Sequence, residues 1–365
     1  MLQTQRIEIT TRTVFKVILL LLGLFLAWEL RGIFFMLFFA FILYSTFDPV
    51  VDYFEHRMIP RWASIFVIYF LLFILISIIM VIGANVLIEQ AQNLSSDFDR
   101  ILTSFIDATT NAFPWLQDKI NSEEITDKLL SGDVLQGRLI SSDTLSSAFG
   151  VISSVGSIAL GVFVVIMVSV YMLDRQEKFY SGLIDYVPKA NKKKVMQLMK
   201  RIETGLGAWF IGQVILMFSV GFVTWVGVAL PGLFFEDYTL GQYALPIALI
   251  AGLLEAVPNI GPTVTVFIAV FIAIGSGNLS EGDATVVILG QSIYVAILGI
   301  VIQNLEAMFL VPIVMKKAVG IDPIITILGI ISALSLFGIV GAILVIPIVA
   351  TGQIVFNFYQ EENSG

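Results

Sequence analysis

Apolar residues run along this chain in long blocks separated by short charged stretches, rather than in the one-face rhythm of a soluble helix. A helix needs roughly 20 apolar residues to cross the hydrocarbon of a bilayer, and blocks of this kind occupy 14–30, 33–50, 62–88, 151–173 and 206–230. Three further apolar regions lie at 243–275, 284–312 and 320–356. The pattern predicts an all-α polytopic membrane protein of about eight hydrophobic segments.

Two of the last three regions are interrupted. Residues 253–262 read Leu-Leu-Glu-Ala-Val-Pro-Asn-Ile-Gly-Pro. Pro258 and Pro262 each withhold a backbone donor and obstruct a helix, and bare lipid cannot satisfy the carbonyls set free. A re-entrant hairpin that turns back at Pro258 to Pro262 is therefore expected. The final region carries Ser335-Leu336-Phe337-Gly338-Ile339-Val340-Gly341, with Pro347 beyond, and is long enough for two half-helices. Interrupted segments entering from opposite faces are the pattern of an inverted transporter core.

Between the third and fourth blocks the rhythm changes. Leu87, Ala91, Leu94, Phe98, Ile101, Leu102 and Phe105 recur at three- and four-residue spacing, which predicts an amphipathic rod that continues the third helix outward. Phe113-Pro114-Trp115 ends it. The expected organisation is 1–88 for the first three transmembrane helices, 89–150 for an extra-membrane helical insert, 151–205 for a fourth helix and a basic loop, 206–356 for the transport core and 357–365 for a tail. The insert's apolar stripes need cover, which makes a homo-oligomer plausible.

Composition agrees. Of 365 residues 58% are hydrophobic and 13% charged, with a mean hydropathy of +0.94, whereas soluble domains are about 25% charged. The lipid bilayer is thus the first expected partner. Arg6, Arg12 and Lys16 put the N-terminus in the cytoplasm by the positive-inside rule, and the absence of a small-residue cleavage site before Glu29 and Arg31 makes the first block a retained helix. Residues 89–143 carry ten acids against four bases, as an external region should, and 174–203 carry eight bases against four acids, as a cytoplasmic one should. A single crossing at 243–275 would leave Lys316 and Lys317 outside; a hairpin there makes them cytoplasmic.

Charge inside apolar blocks marks the candidate chemistry. Ionisable residues at membrane depth are functional-site candidates by default. Glu255 lies in the first interruption with Asn259. Gln303 and Glu306 stand three apart at the end of the seventh block and share a helix face, with Asn304 between them. Such a face can hold a cation, a proton or a polar solute. Pro258, Gly261, Pro262, Pro312, Asp322, Pro323, Gly338, Gly341 and Pro347 are the expected breaks and hinges. The plainer alternative is that Glu255 and Glu306 cap broken helix ends.

Other classes find little support. There are no cysteines and one histidine, His56, so neither a Cys/His metal cluster nor a membrane serine-protease site can be assembled. Gly275-Ser276-Gly277 is followed by asparagine rather than aspartate, and no phosphate-binding loop occurs. Neither a cofactor nor nucleic acid is expected, and no enzyme activity. A pore or a non-transporting scaffold remains a competing reading.

Glu255 followed by Pro258, Gly261 and Pro262, then Gln303 and Glu306, Pro312, and late Gly338, Gly341 and Pro347, resembles the autoinducer-2 exporter (AI-2E) family of bacterial permeases. The order of segments agrees along nearly the full length. At Asp322-Pro323 the chain departs from the histidine-proline pair expected of that family. The resemblance implies a multi-pass bacterial inner-membrane secondary transporter. It further implies export of a small polar organic molecule such as autoinducer-2, coupled to protons or cations, or else Na+(Li+)/proton antiport.

Overall fold

The computed structural model describes residues 11–78, 144–236, 238–257, 261–276, 284–314 and 323–364. Most of the expected external insert, together with Pro258, Asn259, Lys316, Lys317 and Asp322, lies outside them. The described residues are all-helical. They comprise α1 (Thr11–Glu29), α2 (Arg31–Glu55), α3 (Arg61–Ile78), α4 (Thr144–Asp174), α5 (Gln176–Ile184), α6 (Lys192–Ala229), α7 (Ala244–Leu254), α8 (Gly261–Ser276), α9 (Ala284–Leu305), α10 (Val311–Val314) and α11 (Pro323–Ser364). Among the described residues, five helices are long and apolar enough to cross a membrane, or six if the bent α4 and α5 pair counts as one.

Helix α6 organises the bundle. It is 38 residues long, about 57 Å at 1.5 Å per residue, and its first turns are the Lys192–Lys194 stretch read from the sequence as a loop. Charged residues there extend the helix beyond the apolar block because Lys, Gln, Met, Arg and Glu are all good helix formers. On one half of α6, Leu206 and Trp209 pack with Ile42 of α2 and with Ile330 and Leu344 of α11. On the other half, Val228 packs with Leu240, Ile247 of α7, Ala273 of α8 and Val295 of α9.

Small residues set the closest approaches. Gly207 of α6 lies so near α2 that an added Cβ would fall on the Ser45 backbone carbonyl, and Gly252 of α7 would place one 2.9 Å from the Met217 carbonyl. Backbone cannot yield as a side-chain tip can, so Gly207→Val is expected to force α2 off α6. Overpacking of this kind costs about 1–3 kcal/mol. Fluorescence-monitored melting in detergent should show a lower midpoint, and an unchanged melt would contradict the packing described.

Both interrupted regions fold back on themselves. Ala244 and Ile247 near the start of α7 join the same apolar cluster as Ala269 and Ala273 late in α8, which makes α7 and α8 an antiparallel hairpin. At 11 and 16 residues its arms reach about 16 and 24 Å, short of the roughly 30 Å hydrocarbon thickness. The second hairpin is α11. Gly338 has φ 66° and ψ −157°, a conformation costly for any residue with a Cβ. Across it the chain reverses: a Cβ on Gly329 would sit 3.1 Å from Val345 Cγ2, and Ile325 shares a crevice with Val349. Phe337 at this turn contacts Trp28 and Phe35 at ring-centroid distances of 5.7 and 5.3 Å.

Helix α5 turns 86° from α4. Its Ile184 is buried, while Leu183 and Tyr186 are exposed. Helix α1 stands almost wholly exposed, with Val14 to Trp28 presenting apolar side chains around its circumference, as a lipid-facing helix does.

Candidate functional site

The tip of the first hairpin delivers Glu255 to the middle of the bundle. Its backbone N–H donates to the Ala251 carbonyl at 3.1 Å, ending α7, and the residue is fully buried. Gln213 of α6 donates through Nε2 to the Glu255 carbonyl at 2.5 Å, so one of the carbonyls left over by the helix break has a side-chain donor in place of water. Gly261 begins α8 against the same residue. A Cβ there would stand 2.6 Å from Glu255 N and 2.7 Å from Glu255 Oε2, so the turn closes this tightly only with glycine.

Helix α9 brings the second acid. Its last residues run into a π-turn over Glu306–Leu310, immediately before Pro312, which lacks the donor an α-helix would require. Wide turns of this type recur at functional sites. Glu306 is 4% exposed and Glu255 is 0% exposed, and the two carboxyl groups interact directly. Neither Glu255 oxygen has a hydrogen-bond donor, and no lysine or arginine among the described residues pairs with either acid. Two carboxyl groups facing each other away from water require a proton or a bound cation between them.

The other candidates divide. Gln303 donates through Nε2 to Thr263 Oγ1 at 2.5 Å and ties α9 to α8 one turn from Glu306. Asn304 is exposed and donates to its own helix at the Ile300 carbonyl, 2.7 Å, taking no part in the acid pair. Pro262 is buried and lines a narrow crevice between α6, α7, α8 and α9 with Thr224, Ile247, Thr265, Leu298 and Ile302. Pro312 is exposed. Gly338 and Gly341 form the turn of the second hairpin, where a Cβ on Gly341 would stand 2.7 Å from the Ala333 carbonyl. Pro347 lies buried within the second arm, its carbonyl accepting from Thr351 Oγ1 at 2.8 Å. Pro323 opens α11.

Residues 17–361 match the model of the AI-2E family transporters. The chain belongs to the AI-2E family. Among its relatives is a protein of Bacillus subtilis (strain 168) named "Putative transport protein YueF", 28% identical over 331 residues, covering 89% of this chain and 83% of that protein. A second from the same organism, "Putative transport protein YrrI", is 23% identical over 303 residues, covering 83% and 79% respectively. The AI-2E chain is thus a multi-pass membrane protein of a transporter family.

A second polar cluster in this AI-2E chain was not anticipated as a unit. Asp48 of α2 and Glu203 of α6 are 0% and 2% exposed. Arg61, at the start of α3, donates through Nη2 to Asp48 Oδ1 and to Gln176 Oε1, both at 3.1 Å, through Nη1 to Asp52 at 2.9 Å and Glu55 at 2.8 Å, and through Nε to the Leu173 carbonyl at 2.8 Å. Gln176 Nε2 returns a bond to Asp48 Oδ2 at 2.9 Å. Lys200 Nζ stands 2.6 Å from Glu203 Oε1 and 3.8 Å from Asp48 Oδ2, and Tyr180 donates its hydroxyl to Glu203 Oε2. The available sequence signal was Asp48 beside Pro49 inside an otherwise apolar block.

Proposed function

We propose that this AI-2E chain is a secondary transporter working by alternating access. In this reading it exports a small polar organic molecule such as autoinducer-2, in exchange for protons or cations handled by Glu255 and Glu306. One observation carries it: two buried carboxyl groups, delivered by a hairpin tip and by a π-turn, face each other with both Glu255 oxygens unpartnered. Both carriers are breaks in helices, which are elements able to adopt two arrangements. The pair lies beside Gln213, roughly midway along α6, where an alternating-access site is expected. A second reading, monovalent cation/proton antiport, is favoured by the two carboxyl groups themselves, which are hard oxygen ligands. Reconstitution in liposomes with an internal pH dye tests both: saturable proton flux that depends on the solute or cation supports a carrier, and ohmic conductance without saturation overturns it in favour of a pore.

In the bilayer, the α7 and α8 hairpin enters from the external face and the α11 hairpin from the cytoplasmic face, with the N-terminus cytoplasmic in the bacterial inner membrane. The support is geometric. Arg201 near the basic end of α6 pairs with Glu361 at 2.8 Å, whereas Tyr294 of α9 donates to the Gly227 carbonyl at the other end of α6 at 2.7 Å. Lys316→Cys is therefore expected to react with an impermeant thiol reagent only in inside-out vesicles. Labelling of intact spheroplasts would refute this topology.

A further inference from the structure

Buried acids that exchange a proton or a cation need a route to water, and the packing on one side of the Glu255–Glu306 pair leaves room for one. Ala251 stands four residues before Glu255 on α7, and Ile302 four residues before Glu306 on α9. Each therefore lies one helical turn from its acid. With Val220 of α6 they form an apolar layer in which none is more than 4% exposed.

Beyond this layer begins the crevice between α6, α7, α8 and α9. Ile302 and Pro262 line its inner end, and Pro262 follows Gly261, which packs against Glu255. Val228, Ile247 and Val295 line the other end and belong to the apolar cluster near the Ala229 end of α6. The lining positions rise from 224 to 228 on α6 and from 262 to 269 on α8, and fall from 302 to 295 on α9. The crevice thus runs lengthwise, and α9 advances about 10 Å between its two ends.

The lining decides what fits. Thr224 and Thr265 are each only 5% exposed, so the crevice is interior and does not face lipid. It encloses about 20 Å³, room for one water molecule. A purely apolar cavity stays dry, but this one carries hydroxyls from two helices. Thr265 donates to the Gly261 carbonyl at 2.8 Å, which leaves its oxygen able to accept, and Thr224 brings a second hydroxyl to the lining. Between the crevice and the acids, the Val220, Ala251 and Ile302 layer offers no polar side chain, and an apolar constriction of this kind blocks passage by dewetting.

We propose that the crevice is a water-filled access path from the Ala229 end of α6 to the Glu255–Glu306 pair, and that Ile302 is the gate closing its inner end in this conformation. This rests on the acids being the transport site, and adds the route by which their proton or cation arrives.

The chain has no cysteine, so single introduced thiols report access without background. Silver ion, comparable to water in size, is added in nitrate medium to proteoliposomes of the full-length chain, and thiols left unreacted are counted with a maleimide after denaturation. Thr224→Cys changes little in volume. It is expected to react from the same side as Phe234→Cys, on the exposed turn after α6, and many-fold faster than Leu344→Cys, which lies fully buried in the other half of the bundle. Glu306→Cys, behind the gate, should react slowly and speed up several-fold when Ile302→Ala is added. Ile302→Val should give a smaller increase, and serves alone where the alanine variant does not fold. Reaction of Thr224→Cys no faster than that of Leu344→Cys would overturn the proposal, because the crevice is then a closed void. So would an unchanged rate at Glu306→Cys with either Ile302 variant, which makes it a blind pocket. Neither result bears on the carrier role of the acids, which is read from coupled flux and not from thiol access.

Discussion

Glu255→Gln combined with Glu306→Gln should reduce solute-coupled proton flux to the level of protein-free liposomes, without lowering the melting midpoint. Glutamine matches glutamate in shape, so neither a cavity nor a clash is created at the hairpin tip, where Gly261 already leaves no spare room. What changes is charge. Neither Glu255 oxygen has a donor besides the proton or cation that it shares with Glu306, a contact that two amides can keep through their own N–H groups, and replacing two buried carboxyls by neutral amides is neutral or stabilising. Transport is the quantity expected to fall, because an amide can neither take up nor release a proton at this position and is a weaker cation ligand than a carboxylate. The capping role that these glutamates could instead play predicts the reverse pattern: lower stability with flux retained. Flux in a pH-dye assay and melting of the same preparation therefore separate the two roles, and retained coupled flux in the double variant would sink the transport role.

How much of this was legible in the sequence differs between the two polar centres. The first hairpin could be read because prolines and a glycine interrupt an apolar block and local backbone rules alone require a turn. Glu255 and Glu306 were each legible as an acid within an apolar block, but their meeting is tertiary and comes from α9 packing alongside α8. Gln303 and Glu306 do lie one turn apart as their spacing implies, but they meet different partners, Thr263 and Glu255, because the π-turn rotates the backbone just after Leu305. Asn304 could not be placed from composition; on an exposed helix face it satisfies itself on its own helix, as its bond to Ile300 shows. The Asp48 centre was invisible for another reason. Arg61, Lys200 and Glu203 read as topology charges at the ends of helices, and nothing local links Asp48 to Glu203 across 155 positions. Only the close approach of α2 and α6 at Gly207 brings them together.

The largest loss of stability is expected from Arg61→Ala. A guanidinium has five N–H donors, and those of Arg61 serve five acceptors on three segments of chain: Asp48, Asp52 and Glu55 on α2, Leu173 on α4, and Gln176 at the start of α5. The contacts with Asp52 and Glu55 contribute little, because both acids are about half exposed and such pairs are worth at most about 1 kcal/mol. Asp48 is different, with a side chain only 1% exposed. Stripping a buried carboxylate of its partner costs about 3–5 kcal/mol, although Lys200 at 3.8 Å offsets part of that. A fall of about 10 °C in the melting midpoint follows at the upper end of this range. Arg61→Lys supplies the control. It keeps the charge but replaces the planar fork with three donors on a point charge, so it should recover the Asp48 pairing while losing the Leu173 and Gln176 contacts, and melt between the two. If Arg61→Lys melts as low as Arg61→Ala, the fork geometry rather than the charge holds these helices together. If Arg61→Ala melts like the parent, Lys200 alone neutralises Asp48, and Arg61 is not the clamp between α2, α4 and α5 that its five bonds describe.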